Sequence, residues 1–298
     1  MNIIEREHID IKRWNKLVVG TPGATLFSHS SYLDSVAENW CVLVDDDYSN
    51  GIALPYSIRI GVKGIYTPKF SRYLEWLHLT EEKKYPSDLL EQLQFTFKVA
   101  SFSSAFMFHE NFKAVHVYQI NDGLKDYNKL SNRMLKKFTN SSFYIEESDQ
   151  LNQIIDFIHT NLSQKVPDLS DTDFSRFNKL VVSMNSLGVL KVMGVYDESK
   201  SLVGGALFIE QNNSLLYLKG ACIQKAQNDG AMYALIDAGI KYAKDLNKIF
   251  DYGGSRIPGV RQFFMNIGGY DKKYFQYQWN NSSIPVKTAY YVKKILSK

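Results

Sequence analysis

Cysteine is nearly absent: Cys41 and Cys222 are the only two in 298 residues. That leaves no disulfide framework or zinc cluster to propose, and it fits a reducing compartment. The six histidines are scattered, without the H-x-x-x-H or H-E-x-x-H spacing that puts two imidazoles on one helical face, so no metal is expected. No apolar run approaches the ~18 residues of a membrane span. The opening stretch MNIIEREHIDIKRWN lacks the apolar core of a secretory signal. A cytoplasmic protein without a membrane span is the expectation. Walker A, G-x-G-x-x-G and G-x-S-x-G motifs are missing as well. Charge of one sign is in small excess, 35 Lys+Arg against 31 Asp+Glu, a net +4. This suits anionic small ligands and is too weak alone to argue for nucleic acid.

What is present is ordinary for a soluble globular chain, 45% hydrophobic and 22% charged, with length enough for two domains. Aromatics are abundant, 19 Tyr and 18 Phe. They permit large cores and stacking surfaces without selecting either.

Along the chain, strands are expected at 40–44 and 51–58, joined by a turn through Asp45-Asp46-Asp47. A calcium loop would need a later Gly and Glu that are missing, so a solvated turn is the better reading. Further strands are expected at 63–66, 102–109 and 113–120, with a helix from Pro86 to about Ser101. A basic amphipathic helix runs from Leu124 to Phe138, carrying Lys125, Lys129, Arg133, Lys136 and Lys137. Those charges fit a solvated face or a ligand-facing one. From Phe143 the order reads β-α-α-β-β-β-α-β-α-β. Strands are expected at 143–146, 189–196, 202–210, 215–222 and from Ile249, and helices from Ser148, at 171–186 and after Gly230.

The most informative stretch is Lys248–Tyr270, KIFDYGGSRIPGVRQFFMNIGGY. A short apolar strand ends at Asp251-Tyr252. Gly253-Gly254 allows a sharp turn and a close ligand approach. A helix then starts either with Ser255 as N-cap or with Pro258 at its first position, and Gly268-Gly269 ends it. The residues Asp251, Tyr252, Gly254, Ser255, Gly259, Val260, Phe263 and Gly268 resemble the pattern of the FemAB/FemX-like branch of the GNAT acyltransferase superfamily. The resemblance implies an α/β (α+β) fold of two tandem GNAT-like domains, each a mixed, mostly antiparallel sheet flanked by helices. The expected division is 1–140 and 141–298, with the C-terminal tail packing on the first domain.

The same resemblance implies an N-acyltransferase acting on a small-molecule amine, such as a sugar or a cell-envelope precursor. Acyl-CoA is the favoured donor. In GNAT enzymes the pyrophosphate sits on a Q/R-x-x-G-x-G/A loop, and Gln227, Gly230 and Ala231 occupy that place here, although Met232 stands where a small residue is usual. A helix simply starting at Asp229 explains the run equally well. An aminoacyl-tRNA donor, as in FemX-type enzymes, is the second reading, and a tandem-GNAT protein that binds without catalysing is the third. The family often carries a lysine where this chain has Phe264, so a cation would have to come from elsewhere, such as Arg256 or Arg261. Asp251 and Tyr217 are the candidate catalytic residues. An Asp before a Gly turn can also simply accept backbone N–H bonds. Tyr217 and Lys219, two apart on one strand, are expected to share a face, either lining a pocket or serving as core tyrosine and edge lysine. Cys222 has no histidine near it in sequence and reads as a small hydrophobe. Tyr252, Gly254, Ser255 and Arg256 are the candidate binding residues of the turn. Across a cleft, Phe70, Arg72 and Tyr73 of the first domain are expected to complete the site.

Overall fold

The computed structural model describes residues 1–80, 85–163, 170–254 and 257–285. In chain order the elements are β1 (Asn2–Glu5), α1 (Ile11–Gly20), α2 (Ser30–Val36), β2 (Asn39–Val44), β3 (Asn50–Arg59), β4 (Val62–Tyr66), β5 (Trp76–His78), α3 (Leu89–Thr96) and β6 (Val99–Ser104). They continue with β7 (Ala114–Asn121), α4 (Lys129–Thr139), β8 (Tyr144–Glu147), α5 (Leu151–Ser163), α6 (Asp171–Ser186), β9 (Leu190–Tyr196), β10 (Leu202–Glu210), β11 (Ser214–Cys222), α7 (Gln224–Asn228), α8 (Ala231–Asp245), β12 (Ile249–Asp251), α9 (Pro258–Asn266) and β13 (Tyr270–Asn280). No helix among the described residues is long and apolar enough to cross a membrane.

The chain forms two compact α/β units. One is Met1–His116 together with the chain from Lys273, and the other is Val117–Lys272. The boundary expected after residue 140 therefore falls earlier, at 116/117. The reason is pairing: Ile120 and Asn121 of β7 lie antiparallel to Asp251 and Phe250 of β12, and α4 packs on α8. The second unit thus draws its edge strand from upstream of its first helix. Residues 286–298, the tail expected on the first domain, lie outside the described residues.

In the first unit the strand order is β1-β2-β3-β4-β6-β13, with β5 on the end of β3, and among the described strands only β4 and β6 run parallel. The aspartate turn between β2 and β3 is closed by its own hydrogen bonds, the Asp45 carboxylate accepting from Ser49 N at 2.7 Å and Ser49 Oγ at 2.6 Å. Burial resists ionisation of Asp45, but these bonds and Asn50 outweigh it and hold its carboxyl below the ordinary range. The turn is an Asx structure, with Asn2 and Arg13 donating to Asp46 from outside it.

In the second unit the order is β7-β12-β11-β10-β9-β8, with only β11 and β12 parallel among the described strands. Helices cover both faces. Gly205 of β10 lets α5 approach, since a Cβ there would meet Ile154 Cγ2 at 3.1 Å. On the opposite face Phe208, Leu215, Leu235, Phe250 and Phe264 form a core with α8 and α9. The α6 N-terminus is closed by a capping box, Ser170 with Asp173. The pairing of β10 with β11 is irregular. Phe208 pairs with Tyr217 and Leu207 with Lys219, so Leu218 is an extra residue bulged from β11.

Gly239 on α8 is a tight contact of that core, because a Cβ there would stand 2.6 Å from Phe208 and 2.7 Å from Phe250. Gly239→Leu overpacks the core and should cost on the order of 1–3 kcal/mol. Urea unfolding should show a lowered midpoint at unchanged slope. An unchanged midpoint would mean that α8 does not bear on these rings.

Candidate functional site: the parting of β11 and β12

β12 is only three residues long, and it pairs with the first half of β11: Ser214 with Ile249, Leu215 with Phe250, Leu216 with Asp251. β11 then runs on to Cys222 with β10 as its only strand neighbour among the described residues. The parting has a local cause. Gly253 and Gly254 both take left-handed conformations, φ 77° and 71°. A Cβ on Gly253 would lie 2.5 Å from Tyr217 O, so only glycine lets the chain pass the neighbouring strand there. The Asp251 carboxylate, 4% exposed, accepts a hydrogen bond from Gly253 N at 2.9 Å and sets the turn. Asp251 thus has the backbone-anchoring job that an Asp before a glycine turn often has.

Beyond the turn, Pro258 takes the first position of α9 with Ile257 as N-cap, the second of the two starts considered. Ser255 and Arg256 lie outside the described residues. Asn121 of β7, a residue without any motif signal in the sequence, ties the assembly together. Its Nδ2 donates to Tyr252 Oη at 3.3 Å and to Ile267 O at 3.4 Å, and its Oδ1 accepts from Gly123 N at 2.8 Å. Gln119 Nε2 donates to Asp271 Oδ1 at 2.8 Å, and Arg261 pairs with the other carboxylate oxygen. Arg261 is thereby engaged in holding α9 to β13.

Two strands that pair and then part leave an unpaired backbone edge beside a turn. With that geometry in view, the chain can be set beside solved structures. FemX aligns over 94% of this chain and 98% of its own, with TM-score 0.66 and 12% identity. The chain has a FemX-like fold. The C-terminal domain of a provisionally named lysylphosphatidylglycerol synthetase from Agrobacterium fabrum aligns over 96% of each chain, with TM-score 0.60 and 10% identity. L-PGS from Bacillus licheniformis aligns over 97% of each, with TM-score 0.57 and 11% identity. No family model and no curated protein matches the sequence. At these identities the likeness is one of fold.

Within the FemX-like fold several expected site residues have other work. Tyr252, expected in the binding turn, is 1% exposed. Its ring packs on Phe250 and Phe264, and its hydroxyl donates to Ile267 O at 2.5 Å. Burial raises its pKa. It is a core residue that fastens β12 to the end of α9. Phe264, where the family often has lysine, is 3% exposed among Tyr217, Tyr252 and Phe263. Its position faces the core, which has no place for an unpaired ammonium.

Tyr217 and Lys219 do not share a face. The bulge at Leu218 places Tyr217 with Phe208 on the α8 side and Lys219 with Leu207 on the α5 side. Tyr217 packs against Phe208 and Phe264, and burial raises its pKa. It is thereby part of the core cluster.

In the expected pyrophosphate loop several groups are bonded within the fold. Residues 224–228 are helical rather than looped. The backbone N–H groups of Gln227, Asp229 and Gly230 donate to Ile223 O, Lys225 O and Gln227 O, and the Gln227 side chain donates to Cys222 O at 2.5 Å. Ala231 is fully buried. Gly230, φ 91°, abuts α4, and a Cβ there would stand 2.3 Å from Met134 O. Asp229 pairs with Lys137 at 3.0 Å. The basic helix expected from Leu124 starts only at Lys129, so Lys125 precedes α4, and the charges divide accordingly. Lys125 donates to Gly269 O and Lys137 to Asn228 O, whereas Lys129, Arg133 and Lys136 are exposed without a carboxylate partner among the described residues.

In the first unit Arg72 is 9% exposed, with its guanidinium over the rings of Phe27 and Tyr73 at 5.8 and 5.4 Å. Tyr73 packs edge-on against Phe27, and Phe70, φ 70°, has its carbonyl bonded by Tyr32 Oη at 2.5 Å. These residues pack on their own unit.

Gly230 serves packing rather than ligand approach, and this can be tested. Gly230→Ala meets both a left-handed backbone, costing roughly 1–2 kcal/mol, and the Met134 carbonyl. A clear loss of stability in urea unfolding is expected. Wild-type stability would return this glycine to the ligand-binding reading.

Proposed function

We propose that this chain is an acyltransferase that carries an acyl group from an ester donor to an amine acceptor in the opening between β11 and β12. The observation that supports the reading is the parting itself. A pair of left-handed glycines, held by Asp251, ends the β12 pairing at Leu216, and beyond it no described strand pairs with β11 on that side. In the reaction the amine attacks the donor carbonyl, a C–N bond forms, and the C–O bond to the donor breaks. The proton lost by the amine passes to a base or a water chain, and the leaving alcohol takes up a proton. The fold contributes by orienting the two reactants in one cleft, which removes much of the entropic barrier. Asp251 acts through the turn that it sets. The acceptor is a small-molecule amine, and a sugar-linked or cell-envelope precursor fits the resemblance to FemX-like proteins.

The donor is better read as aminoacyl-tRNA than as acyl-CoA. The amides of Gln227, Asp229 and Gly230 already donate within the protein, and Asp229 adds an acidic group there. Lys129, Arg133 and Lys136 instead offer exposed positive charge along α4. The two donors separate in a binding measurement. Thermal unfolding with acetyl-CoA should show no shift, where a ligand at 100 times its dissociation constant would add ~2.7 kcal/mol. Aminoacyl-tRNA should bind with an affinity that falls steeply with salt, and Lys129→Gln with Arg133→Gln should lower the logarithmic slope by about 2. A shift with acetyl-CoA and no tRNA binding would restore coenzyme A as the donor.

A further inference from the structure

The bulge leaves Lys219 in an unusual position. The residue opposite Ala221 is Gly205, which abuts Ile154 of α5, so Ala221 and, two residues earlier, Lys219 lie on the α5 face. Lys219 is partly buried, and among the described residues it makes no hydrogen bond or ion pair. Other lysines of this unit find carboxylates: Lys137 with Asp229, Lys191 with Glu147, Lys241 with Asp237 and Lys248 with Glu210. Burial pulls the Lys219 ammonium below the ordinary lysine range. A lysine partly withdrawn from water without a counter-charge is uncommon, because its ammonium has less water around it than an exposed one and no anion in exchange. Lys219 also stands in the half of β11 that β12 has left, where the strand edge is unpaired. The missing counter-charge and the open edge coincide.

We propose that Lys219 receives an anionic group, a carboxylate or a phosphate, of the amine acceptor on the α5 side of the opening. In naming the molecule as acceptor, the inference rests on the acyl-transfer reading; the anion site itself does not. The substrate class narrows accordingly to amines that carry an acid, either amino acids and peptides or phosphorylated amines. A bound anion replaces the lost hydration of the ammonium and favours its charged form.

Reductive methylation with formaldehyde and a borane reductant, followed by peptide mass spectrometry, reads the reactivity of Lys219 in the intact protein. The exposed Lys241, its side chain 73% accessible, is the internal reference. Inorganic phosphate and acetate serve as probes, with sodium chloride holding ionic strength constant. A titration that protects Lys219, reaching about tenfold at ten times the fitted dissociation constant, while Lys241 reacts as before, is the expected result. Protection by phosphate alone assigns phosphorylated amines, and protection by acetate assigns carboxylates. The thermal shift given by the protecting anion should vanish in Lys219→Gln and persist in Lys219→Arg. Protection by neither anion, or a Lys219 that never reacts, overturns the proposal. Transfer activity does not enter the readout. An anion site without transferase activity would retire the acyl-transfer reading alone, and transferase activity without protection would retire this one alone.

Discussion

The second unit depends on a hydrogen bond of 2.9 Å from Gly253 N to the Asp251 carboxylate, and on the left-handed turn that this bond holds. A further strand-like residue after Asp251 would carry β12 along β11, and the sheet would close. Gly253 instead passes Tyr217 O at a distance that no side chain tolerates. Tyr252 meanwhile turns inward, where its hydroxyl reaches Ile267 O and its ring lies on Phe264. Turn, core and the end of α9 are therefore one mechanical unit. Tyr252, which motif reading places in the binding turn, belongs to that unit, and so does Phe264, where the resemblance implies a lysine.

The second constraint is the bulge at Leu218. A strand alternates faces with period two, and one extra residue exchanges the faces of everything beyond it. Tyr217 stays with the aromatic core while Lys219 moves to the α5 face. The lysine at this parting is thereby separated from the tyrosine beside it in sequence. Among the described residues no carboxylate pairs with this lysine, which is the observation behind the proposed anion site.

Much of the fold was legible in local sequence. Local patterning placed α6 at Asp171–Ser186 and β10 at Leu202–Glu210, and Pro258 was one of two starts read for α9, because each signal is carried by neighbouring residues. Gly254 was expected in a conformation that side chains avoid, and its φ of 71° agrees. Features decided by distant partners were not legible. Asn121 has no motif, yet it reaches Tyr252, 131 residues away. Gly230 resembled a phosphate loop, but its neighbour is the Met134 carbonyl of α4. Alternation predicted one face for Tyr217 and Lys219, and a bulge leaves no local mark. The short β5, three buried residues, and the early boundary at His116 likewise depend on pairing across the sheet.

Hydrogen exchange of the protein with a stable, amide-linked aminoacyl-tRNA tests most directly whether the parted strands form the acyl-transfer site. The amides of 217–222 and of 249–254 should exchange more slowly in the complex, while those of 227–230, already bonded within the fold, should not change. Protection confined to 224–233, or an unaltered β11 edge in a complex that does form, would contradict the account.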